Sequence, residues 1–128
     1  MKLTYKQMLE AERELSELLQ LKPSPTARMA SQIARNARLI DTSLKDFGIA
    51  KSALLEPYSV NGQFDESTLG EARDALYAEY EELILTEVDV DIHPLKLSDI
   101  EAVEQNKPGF EIPTKTYYVI DWLFDLDN

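Results

Sequence analysis

From Met29 to Leu54 the apolar positions Met29, Ile33, Ala37, Ile40, Leu44, Phe47 and Leu54 recur at spacings of three, four and seven. That spacing places them in one stripe along a helix. Ser24 is a suitable N-cap, and Pro25 stands at the first helical position, where its missing N–H costs nothing. Pro57 ends the pattern. The spacing predicts one helix of about 30 residues, roughly 45 Å long. Gly48 is a weak point within it, costing up to about 1 kcal/mol relative to alanine, and a kink or break there would fit the pattern. A helix of this length exceeds the diameter of a compact domain of this size. Its stripe therefore needs cover from other helices or from another copy of the chain.

A shorter helix is predicted ahead of it. Thr4 is placed to cap a segment running to about Gln20, after an extended start at Met1–Leu3. Met8, Ala11, Leu15, Leu18 and Leu19 form its apolar side. Glu10, Glu12, Glu14 and Glu17 sit mostly in the first turns, where the helix dipole favours anions. The link at residues 22–25, KPSP, is short, and short connections make antiparallel neighbours.

Beyond Pro57, Asn61-Gly62 signals a tight turn or hairpin. Asp65 or Ser67 is placed to cap a third helix through about Leu85, with Leu69, Ala72, Leu76, Tyr80 and Leu83 in its stripe. The period then changes from 3.6 to 2. Glu87-Val88-Asp89-Val90-Asp91-Ile92 alternates strictly and reads as a half-buried strand. Apolar positions resume at Leu95 and Leu97 with the opposite parity, which requires a bulge, bend or strand end at His93-Pro94. Phe110-Glu111-Ile112 is a short extended segment available to pair with that strand. Thr114 then caps a last helix over Lys115–Phe124, with Tyr118, Ile120, Leu123 and Phe124 available for packing.

These elements predict a single α+β domain over residues 1–128. The helical body, about 4–85, is an antiparallel hairpin or bundle built around the long helix. A β element of two or three strands, with the N-terminal segment as a possible member, and a C-terminal helix occupy about 86–128.

Charge adds a second pattern. Of 128 residues, 13 are Lys or Arg and 24 are Asp or Glu, a net charge of −11. Residues 1–57 hold nine basic against seven acidic residues, and residues 58–128 hold four against seventeen. Attraction between the halves or between subunits is one consequence, and an acidic surface for a basic partner is another. Direct nucleic-acid binding is not expected, because phosphate contacts need a concentrated basic face. Arg28, Arg35, Arg38 and Lys45 on the long helix are read as a solvated edge beside its stripe. The chain has no cysteine, which excludes disulfides, thiolate zinc sites and cysteine catalysis. The opening segment carries charges throughout and is not a signal peptide, and no apolar run approaches a membrane span.

Candidate chemistry is sparse. Asp89, Asp91 and His93 would share one face of an extended strand and could bind a divalent metal. Alternating acids are also what the solvated face of such a strand looks like, and that is the favoured reading. No cofactor is assigned. There is no P-loop, GxGxxG, HExxH or GxSxG motif, and no catalytic residue is assigned. The interface candidates are Met29, Ile33, Ile40 and Leu44 on the long stripe, with Tyr117 and Trp122 from the C-terminal aromatic cluster.

Three segments carry a resemblance: the opening MKLTYKQMLEAERELSELL, the long helix ending ALLEPY, and the acidic helix leading into EVDVDIHPLKLSDIE. Together they resemble a family of short phage and prophage proteins from Gram-positive hosts, in which a similar acidic strand precedes a motif like Leu97-Ser98-Asp99-Ile100. That family has no assigned activity, so no residue inherits a catalytic role. With that resemblance, the first reading is a non-enzymatic phage accessory or structural protein acting through protein–protein contacts, in the host cytoplasm or on the virion. The length of the α-helical stripe adds the expectation of a homo-oligomer. Two alternatives remain: an acidic inhibitor or nucleic-acid mimic that binds a basic host surface, and a small metal-binding protein or enzyme.

Overall fold

The computed structural model describes residues 1–127. Strand β1 (Lys2–Thr4) leads directly into helix α1 (Tyr5–Leu19). Thr4 caps α1 as expected: its Oγ1 accepts from the Gln7 amide, and the Gln7 carboxamide accepts from the Thr4 amide at 2.8 Å. Helix α2 spans Ala27–Leu55, unbroken at Gly48. Its N-cap is Thr26 rather than Ser24, with Oγ1 accepting from the Met29 amide. Tyr5, at the start of α1, has its ring 5.3 Å from that of Phe47, late in α2. The two helices therefore run antiparallel.

The long stripe is covered within the chain. Helix α1, about 22 Å long by its 15 residues, lies along only part of α2. Helix α3 (Arg73–Ile84) covers the C-terminal part, where Tyr80 meets Phe47. Helix α4 (Leu97–Asn106) covers the N-terminal part, where Asp99 pairs with Arg28 and accepts from Gln32. A second copy is not needed to cover this stripe: Met29, Ile33 and Ile40 are buried within the chain, and Leu44 is partly buried against the same core.

Two of the helices depart from the expected boundaries. The third was expected to start at Asp65 or Ser67. Instead two 3-10 turns, Glu66–Thr68 and Gly70–Ala72, precede α3, and Gly70 interrupts the pattern with φ 53°. Asp65 caps the first turn, accepting from the Ser67 amide and hydroxyl. Helix α4 stands inside the region read as β structure. Ile100 and Val103, three residues apart, are its buried positions, and Asp99 lies in its first turn.

Among the described residues the β structure consists of three two-stranded pairs rather than one element. β1 pairs antiparallel with β4 (Glu87–Asp89), with Leu3 opposite Val88. Strands β2 (Ser59–Val60) and β3 (Gln63–Phe64) form the Asn61-Gly62 hairpin, whose turn residues have φ 54° and 79°. β5 (Leu95–Lys96) pairs in parallel with β6 (Phe124–Asp125). Phe110 and Ile112 do not join a strand; both side chains are buried in the core. Helix α5 ends at Val119, short of Phe124, so Phe124 lies in β6. Tyr118, expected to pack, is 87% exposed.

Two buried polar residues hold the layers together. The Asn36 carboxamide on α2 bonds both backbone groups of His93, and Glu14 on α1 reaches α5. Among the described residues no helix is long and apolar enough to cross a membrane.

Candidate functional site

The acidic strand face does not assemble as a cluster. β4 ends at Asp89, so Asp91 and His93 lie beyond the strand. His93 Nε2 lies 3.6 Å from Asp91 Oδ2, and Asp89 is not drawn in. Among the described residues no group of three or more His, Cys, Asp or Glu is placed to hold a metal ion. Val90 and Ile92 are buried while Asp89 and Asp91 are exposed, so the alternation does separate core from solvent. His93 belongs to the frame: Asn36 pins its backbone, and its ring borders a cleft of about 470 Å³ that Arg28, Arg35, Lys96 and Asp99 also line.

Of the C-terminal aromatics, Tyr117, Trp122 and Phe124 are placed inward and Tyr118 is not. Tyr117 and Trp122 pack against the core, and the Tyr117 ring lies 4.6 Å from that of Phe124. Burial, and then the charges of Glu104 and Glu111, push the Tyr117 phenol above its ordinary value. Neither residue offers a broad face to a partner.

The open surface lies around α3. Leu76 is the only fully buried residue of this helix, with Tyr80, Leu83 and Ile84 partly covered. Glu71, just before the helix, and Asp74, Glu79, Glu81 and Glu82 on it are exposed. Residues 52–95 contain eleven acids and a single base, Arg73, which pairs with Glu66 at 3.2 Å. A groove runs along each side of α3. One, of about 480 Å³, is shallow and open, bordered by Ala50, Leu54 and Leu83 and by the polar Glu79, Glu82 and Thr86. The other, of about 400 Å³, is lined by Lys51, Leu55, Phe64, Leu76, Tyr77 and Tyr80. In it Tyr77 donates to Glu66 at 3.0 Å, beneath the Arg73 guanidinium.

The outer face of α2 has the opposite character. Ser31, Arg35, Arg38, Thr42, Lys45 and Ile49 are exposed along it, with Asp41 and Asp46 exposed at its edges. Ile49 is 70% exposed, and among the described residues Arg35, Arg38 and Lys45 form no ion pair. The sequence pattern identified these basic residues but treated them only as an edge. It gave no sign of the two grooves, which arise from residues far apart in the chain.

Comparison with protein-family models, curated proteins and solved structures finds no match to this chain.

Proposed function

We propose that this chain is a non-enzymatic accessory or structural protein of a phage or prophage that works by protein–protein contact. Its contact surface is the acidic helix α3 with the groove over Leu54 and Leu83, and the occupant is a basic amphipathic helix. The observation that carries this reading is the groove's composition. Ala50, Leu54 and Leu83 form a shallow apolar strip beside Glu79, Glu82 and Thr86, and neither glutamate forms an ion pair among the described residues. An amphipathic helix seats its apolar face in such a groove, and cations beside that face meet the two carboxylates. The phage assignment rests on the sequence resemblance alone, as does a place in the host cytoplasm or virion.

The test is a fluorescence titration with a labelled synthetic helix carrying leucines on one face and lysines on the other. Saturable one-to-one binding is expected. Glu79→Lys with Glu82→Lys should weaken it about tenfold, equivalent to about 1.4 kcal/mol. A peptide with glutamates in place of the lysines should not bind. No binding, or equal binding by the variant, would refute the reading.

The excess of eleven acids over one base in residues 52–95 favours a second reading, an inhibitor that covers a basic host surface. Such an inhibitor uses the whole acidic face. Neutralising Glu87, Asp89 and Asp91 would then weaken partner binding as much as neutralising Glu79 and Glu82.

A further inference from the structure

We infer that the basic amphipathic helix that fits this groove is the outer face of α2 in a second copy of the chain, so that copies join head to tail. The inference rests on the groove reading above and names its occupant. Three observations lead to it.

The first is charge. The outer face of α2 presents Arg35, Arg38 and Lys45 along its centre, with Asp41 and Asp46 at its edges. The three bases are without ion-pair partners, and Glu79 and Glu82 stand equally unpaired among the described residues. In a chain of net charge −11, this basic face is the surface that an acidic neighbour would meet with attraction. The second is apolar exposure. Ile49 lies on the same face and is 70% exposed, an apolar side chain with nothing in its own chain to cover it.

The third is spacing. Lys45 and Ile49 lie four residues apart on α2, and Glu79 and Leu83 lie four apart on α3. Residues four apart stand one above the other on a helix face, about 6 Å apart. Laid side by side in the same direction, the two helices set Ile49 on Leu83 and Lys45 on Glu79. Arg38, about two turns further along α2, then comes over the acidic turn at Glu71.

The groove opens where α3 packs on α2, and Ile49 lies on the side of α2 turned away from the core. One copy therefore offers two different surfaces, and the contact is heterologous. Each added copy presents a fresh groove and a fresh basic face, and the assembly closes as a ring or continues as a filament.

Light scattering after size-exclusion chromatography tests this on the full chain. In 0.1 M salt the mass should grow with concentration from micromolar to millimolar. In 1 M salt, where the screening length falls from about 10 Å to about 3 Å, it should return to the monomer. Two variants alter only exposed positions: Lys45→Ser with Ile49→Ser, and Glu79→Gln with Glu82→Gln. Each should be monomeric alone. Mixed, they should form a one-to-one complex that grows no further, because only one intact groove and one intact basic face remain between them. A wild type that stays monomeric at every concentration in 0.1 M salt overturns the inference, as does assembly unchanged in either variant. If the lysine peptide still binds a chain that stays monomeric, the groove reading stands and only the choice of occupant falls. If the peptide does not bind either, both fall.

Discussion

The Asn36 side chain pairs with the backbone of His93 as a neighbouring strand would. Its Nδ2 donates to the His93 carbonyl at 2.9 Å, and its Oδ1 accepts from the His93 amide at 2.9 Å. Asn36 is completely buried, so it satisfies two backbone groups where the chain leaves β4 and the alternation slips. Asn36→Ala leaves both unpaired and should cost about 2–3 kcal/mol. Urea denaturation would check this as a fall in midpoint at constant slope. A variant as stable as Ser31→Ala, an exposed control on the same helix, would show that the pairing carries no weight.

Ile40 gives a second comparison. It is fully buried at the centre of the α2 stripe, whereas Arg38 is exposed two positions earlier. Ile40→Ala should cost about 2–5 kcal/mol through lost burial and the cavity left behind. Arg38→Ala should stay within about 0.5 kcal/mol. Equal thermal stability of the two variants would contradict the assignment of the core face.

Glu14 tests the joint between α1 and α5. Its carboxylate is fully buried, accepts from the Thr116 hydroxyl at 3.2 Å, and lies 3.4 Å from Lys115 Nζ. Lys115 keeps 59% of its side chain exposed, so losing its partner does not strand a buried cation. Glu14→Ala leaves the Thr116 hydroxyl unpaired in the interior and should cost about 1–3 kcal/mol. Lys115→Ala takes the nearest cation from a carboxylate that stays buried, with Arg13 still 3.8 Å away, and should cost at least as much. A Lys115→Ala variant as stable as the wild type would show that the pair carries no weight.

Tyr117 makes stability depend on alkaline pH. Burial holds its phenol above the ordinary value of 10.0, so the folded chain keeps the proton that the unfolded chain loses first. A group raised in the folded state contributes stability that is complete below the unfolded value and is lost as pH rises through the folded one. Denaturation midpoints of the wild type should therefore fall above about pH 10, beyond the fall shared with Tyr117→Phe. Parallel pH profiles for the two proteins would rule the effect out.

What could be read in the sequence follows from where each signal is local. The α2 stripe, the Thr4 cap and the Asn61-Gly62 turn depend on neighbours within one or two turns, and all three appear as the pattern indicates. Helix α4 escaped because Leu95 and Leu97 continued the period-2 rhythm into its first turn; the spacing of Ile100 and Val103 was its only helical signal. The late start of α3 depends on Gly70 at positive φ, which its apolar spacing does not reveal. Glu14 sits among exposed glutamates, and only α5, a hundred residues away, makes its position interior. The parallel pair β5–β6 and the grooves beside α3 likewise depend on distant segments meeting. The candidate surface was legible as an acidic stretch and not as a shape.

The central claim is that partners dock on the acidic side of α3. Amide chemical-shift mapping with the lysine–leucine helix measures this residue by residue. The account predicts shifts concentrated at residues 79–86 and at Ala50–Leu54, with the buried contact between Asn36 and His93 unmoved. Shifts scattered over every acidic residue, or confined to the cleft around His93, would contradict it.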